Sequence, residues 1–332
     1  MKKQNKNKIR HLPEEYKIKD GAERFPLLIA ISASNVCNAE CPKCVYTQNK
    51  NLRKVYGSEP FMKPLIFDKI ADEAGKFKAL IRISGTGEPL LNPDIIDEIE
   101  YAKGVGARIG LITNGSLLNE KKIKRILEAE VDAIEYSIDA MDEENYAKIR
   151  VGLEYKDVRD SIIRTVELRN KLNKKTAIIV SVVNNPTEHD YVNKTVEYWK
   201  AIVDNVISRK FLRWGLIEEE NKTPEYLSSV ERVPCPFPFE RLNIDTSGNV
   251  RFCGYDIAYN EYMGNVLDNT IEEIWTGEKF SRWRQYHLNR EFDKIEMCKN
   301  CTDFPYRSWS YNYWNVLNDA NEGRRKEQTE KK

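Results

Sequence analysis

From Leu27 to Leu212 the chain alternates short apolar runs with stretches of helical spacing, and few architectures accommodate that alternation. The runs Leu27–Ile31, Ala79–Ser84, Arg108–Thr113, Ala133–Ile138, Ala177–Val183 and Val206–Leu212 read as strands. Between them Asn92–Lys103, Asn119–Ala129, Val158–Leu172 and Glu188–Lys200 have helical spacing, the first of them after an Asn-Pro start. Successive strands separated by helices of this length run parallel, because the crossover returns the chain to the start of the sheet. The expected class is α/β. Periodicity leaves open either a doubly wound open sheet or a full or partial barrel.

The pattern stops near residue 220, where Glu218–Pro224 is a polar, proline-ended linker. Beyond it stand Pro234, Pro236 and Pro238, then a hairpin-like stretch from Arg241 to Cys253 whose turn is Ser247-Gly248. One helix, about Thr270–His287, and a loop with two cysteines follow. Four segments are expected: a polar entry over 1–24, the α/β unit over 25–224, a small second domain over 225–312, and a charged tail over 313–332, frayed from 319. The second domain is too short for a large core and needs a staple.

Composition narrows the function classes. The 332 residues carry 53 Lys and Arg against 52 Asp and Glu, a net charge of +1, so no global field favours nucleic acid or an anionic membrane. No run of eighteen apolar residues offers a transmembrane helix. Met1–Lys19 is lysine-rich without an apolar stretch, so it is not a secretory signal, and a cytoplasmic location is expected. Seven cysteines, an odd number without an export signal, argue against a disulfide framework and for metal or catalytic thiols.

The cysteines fall into two sets. Cys37-Asn-Ala-Glu-Cys41-Pro-Lys-Cys44 is a C-x3-C-x2-C triplet directly after the first strand. Three thiolates on one loop can wrap a metal centre and leave a fourth position open to a small molecule. Cys235, Cys253, Cys298 and Cys301 make a second set, spaced C-x17-C-x44-C-x2-C, whose four thiolates would close a site completely. That spacing suits zinc as well as a cubane iron–sulfur cluster.

The triplet, followed by Ser84-Gly85-Thr86-Gly87-Glu88-Pro89, resembles the radical S-adenosylmethionine (radical SAM) enzymes. The hairpin, helix and four late cysteines resemble the SPASM or twitch extension that carries auxiliary clusters. The resemblance implies a partial (β/α)6 TIM-like barrel with a small C-terminal hairpin-plus-helix domain, two [4Fe–4S] clusters and SAM. In such enzymes an external donor such as flavodoxin or ferredoxin supplies one electron, and SAM is cleaved to methionine and a 5′-deoxyadenosyl radical that abstracts a substrate hydrogen.

By the same resemblance Gly85, Thr86, Gly87 and Glu88 would cradle SAM, with Glu88 accepting from its ammonium group; Thr86 stands where the family usually has glycine. Asn114, Ser137 and Arg150 would complete the rim, although capping by the short polar side chains and a solvated Arg explain them equally well. Lys43 replaces the aromatic residue that relatives carry before the third cysteine, and Tyr46 could pack on the adenine instead. A closed second cluster leaves electron relay as its role, which suits oxidation of a small, carbohydrate- or aminocyclitol-like substrate.

Rival readings are a peptide-modifying enzyme, a sugar epimerase and a zinc-stapled binding protein. All seven cysteines are assigned, which counts against a thiol-donor epimerase unless a Tyr acts instead. About 25 residues precede the first strand, so a peptide substrate is expected to need a separate recognition protein or a very local motif. Arg209, Lys210 and Arg213 could hold a phosphorylated or carboxylated substrate, or form a solvated face. The aromatic run Tyr306–Trp314 suits either ring recognition or packing of the tail. His11, His189 and His287 show no ligand spacing and are assigned no chemistry.

Overall fold

The computed structural model describes residue 16 and residues 18–48, 58–184, 189–210, 231–254, 261–299, 301–309 and 313–330. The 218–224 linker, the 224/225 boundary, His11 and Arg213 lie outside these, as do the side chains of His189 and Lys210. The strands are β1 (Leu28–Ser32), β2 (Leu80–Ser84), β3 (Arg108–Thr113), β4 (Ala133–Ser137), β5 (Ala177–Asn184), β6 (Asn205–Lys210), β7 (Arg241–Ile244), β8 (Asn249–Arg251) and β9 (Tyr262–Asn265). The helices are α1 (Val45–Gln48), α2 (Pro64–Phe77), α3 (Ile95–Gly104), α4 (Glu120–Glu128), α5 (Glu143–Ile149), α6 (Tyr155–Lys171), α7 (His189–Lys200), α8 (Ile271–Thr276), α9 (Glu278–Leu288), α10 (Glu296–Lys299) and α11 (Tyr313–Glu330).

The described strands form one sheet in the order β6-β5-β4-β3-β2-β1-β7-β8-β9. β1 to β6 pair in parallel, as the alternation requires, and give the partial barrel. Side chains alternate between two surroundings. Ile29, Ile31, Ile81, Ile83, Ile109, Leu111, Ile134, Ile178 and Val180 join the main core with the apolar faces of the helices. On the opposite face Leu28, Leu80, Ala133, Ala177 and Ile179 form a second, smaller apolar cluster, and Ser32, Arg82, Ser84, Glu135, Ser137 and Arg209 line a cavity.

Local signals account for the helix ends. Pro64 opens α2. The Asn119 and Asp142 side chains accept from the third-residue amides of α4 and α5, and Thr270 and Glu273 form a reciprocal capping box on α8. Helices α2 and α5 are additions to the elements read from the sequence. The expected Thr270–His287 helix is two helices, α8 and α9, broken at Gly277, whose backbone is extended (φ −65°, ψ 162°).

The second domain is not a separate layer. β7 lies parallel to β1, with Leu28 opposite Arg241 and Ile31 opposite Ile244, so the hairpin continues the barrel's sheet. The β7–β8 turn is held by Asp245 Oδ1, which accepts from the amides of Ser247 at 2.9 Å and Asn249 at 3.0 Å. The polar entry is anchored at its end: Ala22 is fully buried and its carbonyl accepts from Trp275 Nε1 at 2.7 Å.

The C-terminal segment also departs from expectation. Residues 313–330 are helical, and Tyr313, Val316, Leu317 and Ala320 pack on Leu28, Leu80, Ala133, Ala177 and Ile179, at the lower end of the barrel interior. These four positions fall at i, i+3, i+4 and i+7, one face of a helix. Gly110 makes room for this plug, since a Cβ there would lie 3.3 Å from Tyr313 Oη.

Candidate active site

A cavity of about 680 Å³ opens at the carboxyl ends of the strands, where barrel sites form. It is lined by Cys37, Cys41 and Cys44, by Lys43 and Tyr46, by Gly85, Thr86, Gly87 and Glu88, and by Asn114, Ser137 and Arg150. The structure thus brings together every residue of the triplet and of the expected SAM rim.

The rim is built by close backbone contact. Gly85 has φ +129°, and a Cβ there would lie 2.3 Å from Ser32 Oγ. At Gly87 a Cβ would stand 2.0 Å from the Val36 carbonyl oxygen, whose partner is the Glu88 amide at 2.9 Å. The Thr86 hydroxyl is buried and reaches Asn35 Oδ1 at 2.7 Å and the Ser34 carbonyl at 3.3 Å. The threonine that departs from the family pattern therefore ties this turn to the residues just ahead of Cys37.

Glu88 is 2% exposed and burial pushes its pKa up against three hydrogen bonds. Oε1 accepts from Thr113 Oγ1 at 2.7 Å and from the Leu90 amide at 3.1 Å, and Oε2 accepts from the Asn114 amide at 2.8 Å. Its carboxylate is engaged in holding the next strand's exit. Asn114 Nδ2 donates to Asn38 Oδ1 at 3.0 Å, locking that exit to the cysteine loop. Asp139 Oδ2 pairs with Arg150 Nη2 at 2.8 Å, and Arg150 Nη1 lies 3.9 Å from Cys41 Sγ. Burial raises the Cys41 pKa, and Arg150 opposes it, favouring the thiolate.

The second set gathers around Cys298, which is buried. Its pKa is pushed well up by burial and then by Cys253, Cys235 and Cys301, so the four thiols share one neighbourhood. All seven cysteines are free thiols. Among the described residues no three Cys, His, Asp or Glu groups close on a single ion. An iron–sulfur cluster spreads its thiolates over several irons and does not need them to meet at a point. In chemistry and number the donors fit an open cluster on the first set and a closed one on the second.

One residue passed over in the sequence belongs here. His287 is 2% exposed, between Phe252 and Phe292. Its Nδ1 accepts from the Cys235 amide at 3.2 Å, so the ring proton sits on Nε2, which stands 3.3 Å from Cys298 Sγ. Burial, with Arg232 nearby, drives its pKa down to about 3, so the ring is neutral. A lone histidine gives no spacing signal, because its partners lie 52 and 11 residues away.

Arg209 faces the cavity, where its Nη2 meets Glu135 Oε1 at 2.6 Å; it is not part of a solvated face. In the aromatic run Tyr313 packs inside the barrel, and Arg307 and Ser308 line the cavity. Ser310, Tyr311 and Asn312 lie outside the described residues.

The model of the radical SAM superfamily matches residues 31–197, half of the chain. The chain belongs to the radical SAM superfamily. A second model, the SPASM iron–sulfur cluster-binding domain, matches residues 235–302, which hold all four late cysteines. A radical SAM domain works with SAM and a [4Fe–4S] cluster, and a SPASM domain carries further iron–sulfur clusters.

Among relatives, the tungsten-containing aldehyde ferredoxin oxidoreductase cofactor-modifying protein of Pyrococcus furiosus is 25% identical over 82% of this chain and 85% of its own length. The GTP 3′,8-cyclase of Limosilactobacillus fermentum is 29% identical over 55% of this chain, which spans about half (54%) of that relative. Among solved structures, BtrN with AdoMet and 2-DOIA matches with a TM-score of 0.53 at 18% identity, covering 84% of this chain and 94% of BtrN. Streptococcus suis SuiB bound to S-adenosylmethionine matches with 0.64 at 12% identity, covering 79% of this chain and 68% of SuiB. These likenesses confirm the fold. Among the described residues no helix is long and apolar enough to cross a membrane.

Proposed function

We propose that this chain is a radical SAM oxidoreductase acting on a small, carbohydrate- or aminocyclitol-like substrate. Cys37, Cys41 and Cys44 hold the open cluster, and Gly85, Thr86, Gly87, Asn114, Ser137, Arg150 and Tyr46 frame SAM, with Glu88 bracing that frame. Cys235, Cys253, Cys298 and Cys301 would hold a closed second cluster, which would supply an electron acceptor there. With SAM bound, the open cluster supplies one-electron cleavage to methionine and a 5′-deoxyadenosyl radical.

The observation that carries this reading is the shared cavity. It runs from the cysteine triplet to Phe237, Arg241, Asn243, Gly254, Arg307 and Ser308 of the second domain. Arg307 and Arg241 act electrostatically on Cys235, so the same walls reach the second cysteine set. A substrate between the two sets can lose a hydrogen atom to one side and an electron to the other. For an alcohol, loss of a hydrogen atom, a proton and an electron gives a ketone. BtrN, solved with 2-DOIA, and the cofactor-modifying role named for the Pyrococcus relative support a small molecule, while SuiB, solved with a precursor peptide, keeps the peptide-modifying reading as the alternative.

The reading is tested by EPR on anaerobically reconstituted, reduced protein. Two cluster signals are expected, of which SAM perturbs one, and Cys298→Ser removes the signal that SAM leaves alone. If SAM perturbs both signals, the second cluster is open and the relay role is wrong.

A further inference from the structure

The second cysteine set lies among N–H donors and positive charges. The Phe237 amide donates to Cys235 and the Asp303 amide to Cys301, each from two residues further along the chain. His287 turns its Nε2 proton to Cys298 Sγ at 3.3 Å. Arg241 and Arg307 stand 4.0 and 4.4 Å from the centre of the Phe237 ring, and both act electrostatically on Cys235. The Asp303 carboxylate works the other way on Cys301.

Arg232 is placed most directly. It stands three residues ahead of Cys235, and its Nη2 donates to the carbonyl of Cys298, the buried member of the set. Its guanidinium lies 4.3 Å from the centre of the Phe292 ring and 5.0 Å from that of Phe304, so two aromatic rings hold it at that carbonyl. Phe292 also packs against His287, with 5.4 Å between ring centres. Cys298 therefore receives a cation at its carbonyl and a neutral donor at its sulfur. Arg232 lowers the thiol pKa of Cys298 and Cys301 against burial, as a nearby positive charge does. Arg241 is paired with Glu240, and Glu231 with Arg290, whereas Arg232 meets no carboxylate among the described residues.

We propose that Arg232 raises the reduction potential of a cluster on the second set, a role that rests on the proposed function and names the residue that tunes its electron acceptor. A cluster held by four thiolates is an anion, and an arriving electron adds a full negative charge. A fixed cation in a partly buried site, where solvent screens it weakly, favours the reduced form. For an alcohol substrate the electron leaves the substrate radical as its hydroxyl proton departs and a ketone forms. Arginine suits the position because its guanidinium stays charged and its plane lies against aromatic faces. Acting through Cys298, Arg232 is a positioning residue.

EPR-monitored redox titration of anaerobically reconstituted, full-length protein reads the potential of each cluster. Arg232→Gln keeps an amide donor and removes the charge. At a fixed ambient potential the reduced-to-oxidised ratio of its second cluster should fall about tenfold, a shift of about 59 mV for one electron, while the open cluster titrates as in the wild type. Arg232→Lys, which keeps the charge without the stacked plane, should recover most of that loss. An unchanged second potential in Arg232→Gln, or an equal fall in Arg232→Lys, overturns the assignment. Should Arg232→Gln not load its second cluster, Phe304→Leu decides, because it keeps the arginine but removes one of the rings that hold it. A smaller fall in the same direction is expected there, and an unchanged potential overturns the role. A wild type that shows only one cluster signal contradicts the proposed function instead.

Discussion

At Gly87 the local geometry tolerates no side chain, because an added Cβ would press to 2.0 Å from the Val36 carbonyl, one residue before Cys37. Gly87→Ala must therefore displace the loop that presents the triplet. The expected outcome is a folded protein whose iron content after reconstitution falls by about four per chain, one cubane, with the second cluster retained; iron assay and EPR check it. At the second set, His287 directs its Nε2 proton at Cys298 Sγ, a bond that stabilises negative charge on a cluster ligand. His287→Phe removes the donor at similar bulk and should lower the second cluster's reduction potential, read by EPR-monitored redox titration. An unchanged potential would make His287 a packing residue only. The seven cysteines and the turn from Gly85 to Glu88 were legible in the sequence, since each lies in a short motif whose chemistry depends on spacing. Arg82 and Glu135 were legible in principle, because charges inside Leu-Ile-Arg-Ile-Ser and Ala-Ile-Glu-Tyr-Ser break runs that should be apolar throughout. Their being paired across the interior depends on stagger between strands, which no local pattern encodes.

Among the elements, α11 shows how a real signal can be outweighed by its neighbours. Tyr313, Val316, Leu317 and Ala320 carry helical spacing, but the charges that follow from Asp319 read as a solvated tail. In the structure Leu317 is 2% exposed against Leu28 and Leu80. Leu317→Ala should cost about 2–5 kcal/mol of stability, seen as a lowered thermal midpoint. Helix α3 predicts a pH effect. Glu98 on its buried face is 3% exposed, and burial, then Asp94, Asp68 and Asp97, push its pKa up to about 8 from the usual 4.5. Between pH 4.5 and 8 only the unfolded chain ionises at this position, so the folded state binds the extra proton and stability falls as pH rises. Glu98→Gln should remove that slope, with little change at pH 4.5 and a gain on the order of a few kcal/mol at most by pH 8. Denaturant midpoints at the two pH values measure it. Helices α2 and α5 are marked in the sequence only by their start signals, Pro64 and Asp142.

For the whole molecule, the decisive feature is the parallel pairing of β1 with β7, more than two hundred residues apart in the chain. Alternation along the sequence established the six-strand unit, and the late cysteines established that a second domain exists. Neither could show that the two share a sheet and a cavity, because long-range pairing leaves no periodic trace. That continuity lets Arg241, Asn243 and Gly254 of the second domain line the same cavity as the cysteine triplet. This chain is expected to load two clusters and to cleave SAM. Anaerobic reconstitution of the full chain with iron and sulfide, followed by reduction in the presence of SAM, tests it most directly. About eight irons per chain and the appearance of 5′-deoxyadenosine are predicted. Stoichiometric zinc with SAM left intact would contradict it.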